Sequence, residues 1–165
     1  MTERDWRAIL HALDQPLPRD HDWRVWPDGW EAPFDFDHEA STARLTHLAA
    51  VLSDLFGGEV PIWREPQDTA RIASIGIPAA LAKTRPKPRQ RPASIVIYLS
   101  YFGNLATYRP YETPHEDDKA RVELALDEAG YLLVPGPVID SPYDGPNNGV
   151  GTEDWTWFTR FFDYL

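Results

Sequence analysis

The chain has 165 residues, 42% of them apolar and 13% aromatic, which is material for one packed core and excludes a wholly disordered protein. It contains no cysteine, so a disulfide scaffold, a thiol nucleophile and a cysteine-ligated zinc site are excluded. A formal charge of −10 argues against direct binding of DNA or RNA, whose affinity comes largely from lysine and arginine displacing counterions.

Residues 3–13 read as a short helix with Trp6, Ile9, Leu10 and Leu13 on one face and Thr2 placed to cap it. Residues 14–33 form a Trp/Pro-rich loop. Trp23, Trp26 and Trp30 recur there at helical spacing, but Pro27 and Gly29 oppose a continuous helix. The clearest helix spans 38–56, where Leu45, Leu48, Ala49, Leu52, Leu55 and Phe56 keep the three-four rhythm. Asp37 or Ser41 can start it and Gly57-Gly58 stops it. Two short strands are expected at 59–65 and 70–77. Residues 83–92, a basic Pro-rich loop, follow them, since Pro86, Pro88 and Pro92 forbid a helix or central strand.

Residues 93–101 are β-branched and aromatic and make the firmest strand. Gly103-Asn104 then turns the chain into a partner strand over 105–109. Thr113-Pro114-His115-Glu116 reads as a capping box with proline at the first helical position. The helix it announces runs to Glu128 with Val122, Ala125, Leu126 and Ala129 inward, and Gly130 ends it. Alternation on the strand and this helix face predict that Ile95, Ile97, Leu99, Val122 and Leu126 pack together. A strand at 131–134 and a long loop at 135–151 come next. The last segment, 154–165, fits a helix through Phe158, Phe161, Phe162 and Leu165, and a strand through Trp155, Trp157 and Phe161. Its aromatic and threonine content favours strand. The order α, α, β, β, β, β, α, β, β predicts one α+β domain over 1–165, a mainly antiparallel sheet packed with three helices. No repeat is visible and no apolar run approaches the roughly 20 residues of a membrane span. Met-Thr-Glu-Arg-Asp at the start lacks the order of a signal peptide, so a cytoplasmic location without membrane contact is expected.

The charge is unevenly spread. Residues 1–40 carry ten acids and four bases, whereas 83–92 carry five bases and no acid, leaving −15 for the rest of the chain. An acidic surface of this kind keeps a protein soluble, or steers a basic partner such as a nuclease into a fast complex. The basic decapeptide reads either as a small anionic contact site or as a solvated linker, with the linker favoured.

Signatures of chemistry are sparse. The sequence has no phosphate-binding glycine loop, no Gly-x-Ser-x-Gly elbow and no His-Glu-x-x-His. Asp35, Asp37, His38 and Glu39 could hold a hard cation, but acids just before a helix also cap free N–H groups, and capping is the expected role. His115, Glu116, Asp117 and Asp118 read the same way at the later helix. His11, His21, His38, His47 and His115 form no pair at metal-binding spacing. Asp140, Asp144 and Asp154 could converge for acid–base work, although aspartate in Gly/Pro-rich loops favours turns for local reasons. No cofactor and no metal are expected. The unusual feature is Trp23, Trp26 and Trp30 among Asp20, Asp22, Asp28 and Glu31. These rings either anchor an interface with a basic partner or pin a long loop to the body.

A small, acidic, cysteine-free, tryptophan-rich α+β chain without a catalytic set resembles the immunity proteins of bacterial polymorphic-toxin systems. The stretch Ile-Val-Ile-Tyr-Leu-Ser-Tyr-Phe-Gly-Asn-Leu-Ala-Thr at 95–107, the helix after it and the terminal Trp-Thr-Trp-Phe-Thr-Arg-Phe-Phe-Asp-Tyr-Leu carry the likeness. It is one of general character, without a motif specific to one family, and no family's functional residues transfer onto positions here. It implies a protein that binds a cognate, basic toxin, occludes its active site and performs no chemistry. The contacts expected are Asp20, Asp22, Trp26, Asp28, Trp30 and Glu31, with Asp140, Tyr143 and Asp144 in the late loop. The alternative is a small hydrolase or metal-dependent enzyme using loop carboxylates.

Overall fold

The computed structural model describes residues 1–14, 16, 33, 35–64, 71–85, 93–111, 114–147 and 154–162. Its strands are β1 (Ile62–Trp63), β2 (Arg71–Pro78), β3 (Ala93–Ser100), β4 (Leu105–Arg109) and β5 (Leu132–Leu133). Its helices are α1 (Glu3–Leu13), α2 (His38–Phe56), α3 (Glu116–Glu128), α4 (Gly136–Ile139) and α5 (Trp157–Phe162). The strands form one sheet in the order β1-β2-β3-β4-β5. The first three pairings are antiparallel and β4–β5 is parallel, so the α+β class with a mainly antiparallel sheet holds. The parallel pair is the sheet's one crossover, with α3 as its connection.

Alternation sorts side chains to the two faces of the sheet. Ala73, Ile75 and Ile77 of β2, Ile95, Ile97 and Leu99 of β3, and Ala106 and Tyr108 of β4 face α2 and α3. They pack there on Leu45, Leu48, Leu52, Phe56, Val122, Ala125 and Leu126, so the grouping of Ile95, Ile97, Leu99, Val122 and Leu126 expected from the pattern is present. The alternate positions Tyr98 and Leu105 face a second cluster, built from Trp6 and Leu10 of α1, Val138 and Ile139 of α4, and Trp157, Phe158, Phe161 and Phe162 of α5.

Local chemistry sets the helix limits. Thr2 caps α1 in a reciprocal box with Asp5: Asp5 N donates to Thr2 Oγ1 at 3.3 Å and Thr2 N to Asp5 Oδ2 at 2.7 Å. Asp37, rather than Ser41, caps α2, accepting from Ala40 N at 2.9 Å. Gly57 ends that helix at φ +71°, a left-handed conformation open to glycine.

Several expectations are corrected. The strand at 59–65 shrinks to Ile62–Trp63 and the one at 131–134 to Leu132–Leu133. The cap of α3 is His115, whose Nδ1 accepts from Asp117 N at 3.2 Å; Thr113 lies outside the described residues. The late loop contains α4. The terminal segment is helical, not extended: Thr156 and Thr159 exchange bonds, Thr159 N to Thr156 Oγ1 at 3.2 Å and Thr156 N to Thr159 Oγ1 at 3.4 Å, which opens a helix. Trp157 then stacks on Phe161 and Phe158 on Phe162, each at 5.6 Å, a match of rings four residues apart that only a helix provides.

Candidate functional site

Asp20, Asp22, Trp26, Asp28, Trp30 and Glu31 lie outside the described residues, as does most of the basic loop, 86–92. The three late-loop positions are placed, and they go to different neighbours. Asp140, which ends α4, accepts from Arg109 Nη2 at 2.8 Å, and that guanidinium lies 3.9 Å from the centroid of the Phe158 ring. Asp144 is half-exposed and takes Arg7 Nη1 at 3.1 Å and His11 Nε2 at 3.3 Å. Tyr143, expected as a surface contact, is only 4% exposed. Its ring is held between Trp157 and Trp155, and its hydroxyl points inward to Asp14. Asp154 is exposed in a turn. Asp140 and Asp144 thus hold different arginines and share no partner.

Tyr143 belongs to a polar node inside the second cluster. Its hydroxyl donates to Asp14 Oδ2 and accepts from Asn147 N at 3.0 Å. Asp14 Oδ1 accepts from Arg160 Nε at 2.8 Å and from Asn147 Nδ2 at 3.0 Å. Asp14 is 1% exposed and Arg160 0%. A carboxylate so enclosed needs a counter-charge and a full set of donors, and this one has both. Burial, then the bond to Asp14 and its charge, push the Tyr143 phenol well above its ordinary range. Sequence reading missed the node, because Asp14 ends α1 while Arg160 belongs to α5.

At the first of the two acid-rich helix entrances Asp37 caps α2. At the second, Asp118 is fully buried and its Oδ2 accepts from both Thr84 N and Thr84 Oγ1, each at 2.6 Å. Thr84 Oγ1 in turn accepts from His115 N at 2.9 Å. Lys83, the first base of the basic loop, pairs with Asp117, and that bond and charge hold the Asp117 carboxyl below the usual carboxylate range. Among the described residues, no three histidine or carboxylate side chains converge where a metal could sit.

Among the described residues, one surface cleft of about 300 Å³ lies between the start of α2, the end of α1 and the β3–β4 turn. Another, of about 250 Å³, lies between α3 and residues 133–137. In its wall Tyr108 donates to Glu123 Oε1 at 3.3 Å, and burial followed by the Glu123 charge raises the Tyr108 phenol.

The outer face of α3 is acidic around one large apolar residue, Leu124, and the small Ala120. Glu116, Asp117, Asp127 and Glu128 are exposed on it, and Leu124 is 54% exposed. No helix among the described residues is long and apolar enough to cross a membrane. Comparison with protein-family models, with curated proteins and with solved structures finds no match to this chain.

Proposed function

We propose that the chain is an immunity-type protein, which binds a cognate basic bacterial toxin and occludes its active site in the cytoplasm. The observation that carries this reading is the outer face of α3. Asp127 and Glu128 stand in its last turn, with no base beside them. Acids at that end oppose the helix dipole, each costing about 0.3–1 kcal/mol. Neither side chain forms an ion pair among the described residues, so both carboxylates are available to a partner. Leu124 beside them supplies an apolar anchor, and the carboxylates supply a field that draws a cationic partner in. A partner with a basic cleft matches a net charge of −10.

Asp140 and Asp144 already hold arginines and act mainly to shape their loop. Asp20, Asp22, Trp26, Asp28, Trp30 and Glu31 remain proposed contacts, and the basic loop 83–92 a linker. The test is copurification with the product of the adjacent reading frame, followed by stopped-flow association at several salt concentrations. Association falls steeply with salt, and the Asp127→Asn/Glu128→Gln variant associates more slowly while its folded state is slightly more stable. A salt-independent rate, or a variant that binds at the original rate, refutes the reading.

A further inference from the structure

The cleft beside α2 carries chemistry that partner binding through α3 does not use, and it stands independently of that reading. Asp37, Ser41 and Arg44 are spaced four and three apart, so one stripe running from the N-cap down α2 lines the cleft with all three. Arg44 is a cation with a neutral partner. Its Nη1 donates to Asn104 Oδ1 at 2.5 Å, its guanidinium stands 5.9 Å from the Tyr131 ring centroid, and it forms no ion pair among the described residues. Most of its donors remain available to a ligand. Asn104, at φ +54° in the turn after β3, presents the amide oxygen that Arg44 uses.

Ser41 supplies the second observation. The residue is 5% exposed and lines the cleft. A hydroxyl in a helix ordinarily bonds back to the carbonyl one turn earlier. Thr46 does so to Thr42, and Ser53 to Ala49. Ser41 makes no such bond and has no hydrogen-bond partner among the described residues. Its hydroxyl thus lines an open cleft that Arg44 lines as well. At the opposite end the charge reverses: Asp35 and Asp37 line the cleft, and among the described residues only one oxygen of Asp37 is engaged, by Ala40 N. Tyr101 and Leu13 form apolar walls between the ends.

We infer that this cleft binds a small linear zwitterion, with its carboxylate on Arg44 and Ser41 and its ammonium at Asp35 and Asp37. Seven helical residues rise about 10 Å, and a long side chain on a helix leans back toward the N-terminus, which brings the two charged ends within reach of one short aliphatic chain. A volume near 300 Å³ is at the small end of ligand pockets and suits a molecule of amino-acid size.

The experiment is an amide NMR titration of the full chain with 6-aminohexanoate and L-lysine, and with hexylamine and hexanoate as probes bearing one charge. Saturable shifts at residues 35–44 and 101–104 are expected, with 6-aminohexanoate bound at least about tenfold more tightly than either single-charge probe. Arg44→Gln removes that advantage over hexylamine. Ser41→Ala weakens hexanoate and 6-aminohexanoate and leaves hexylamine unchanged. Equal affinity for the zwitterion and hexylamine, shifts confined to other parts of the chain, or a full advantage retained in Arg44→Gln overturns the inference. Should Arg44→Gln not fold, the ranking of the four probes on the unaltered chain decides the matter alone. Toxin association is read by a separate measurement, so either proposal can fail alone.

Discussion

Asp14→Asn tests the buried node directly. The carboxylate meets three donor groups: Arg160 Nε and Asn147 Nδ2 on one oxygen, the Tyr143 hydroxyl on the other. An asparagine there can keep its carbonyl oxygen on Arg160 and Asn147 only by turning its N–H2 group to the Tyr143 hydroxyl, which must then accept and loses the acceptor for its own proton. It also removes the negative charge that faces Arg160 at 2.8 Å where both residues are almost fully buried. Breaking a buried pair by removing one partner costs about 3–5 kcal/mol. For a chain of this size each kcal/mol moves the melting temperature by about 2–4 °C, so Tm falls by roughly 6–20 °C. Urea unfolding followed by near- and far-ultraviolet circular dichroism should show a lower midpoint with an unchanged slope. Tyr143→Phe deletes one hydrogen bond to the same carboxylate and the acceptor of Asn147 N but leaves the charge pair intact, and costs less, about 1.5–3 kcal/mol. A loss below about 1 kcal/mol for Asp14→Asn, or a larger loss for Tyr143→Phe, refutes the electrostatic account of the node.

Leu126→Ala, at a position 1% exposed between α3 and the sheet, lowers stability by about 2–5 kcal/mol in the same assay, whereas Leu124→Ala changes it by less than about 0.5 kcal/mol. Thr84→Val removes a hydroxyl that donates to the buried Asp118 carboxylate and accepts from His115 N, and costs about 1.5–3 kcal/mol in urea unfolding. Tyr131 has a buried hydroxyl without a hydrogen-bond partner among the described residues, and burial pushes its phenol up to about 12. The folded state therefore holds that proton more tightly than the unfolded chain, whose phenols titrate near 10. Its contribution to stability is intact below about pH 10 and is lost as pH rises toward the folded value, so the urea midpoint falls above pH 10. Tyr131→Phe flattens that fall and leaves neutral-pH stability unchanged or higher, since no bond is removed.

The parts of the fold legible in the sequence are those in which one local pattern is unopposed. The leucines of α2 and the Val122, Leu126 face of α3 keep a single period, and Ile95, Ile97 and Leu99 alternate without interruption. The terminal segment resisted reading because rings at 155, 157, 158, 161 and 162 satisfy two periods at once; the hydroxyl exchange between Thr156 and Thr159 selects the helix. β5 was legible as a strand, but its parallel partner is reached only across α3, which no local pattern encodes. At the candidate site the failure is one of distance. Tyr143 resembles any loop tyrosine until Asp14, 129 positions away, is brought beneath it. Ser41 resembles a spare helix cap, and its neighbourhood with Asn104 arises only when the β3–β4 turn docks on α2.

The pairing of Asp14 with Arg160 spans 146 positions, and this has a consequence for the order of assembly during synthesis. A ribosome adding about 5–20 residues per second delivers Arg160 roughly 7–30 s after Asp14. Throughout that interval α1 has neither its charge partner nor the aromatic rings of α5 to cover Trp6 and Leu10. The hairpin of β2, β3 and β4 with α2 and α3 has all of its strands and helices by Glu128, and can close while the nascent chain is still lengthening. Of the described helices α1 is made before the others and is among the last to be buried, so its apolar stripe stays uncovered, open to chaperones and to other nascent chains, longer than the faces of α2 and α3.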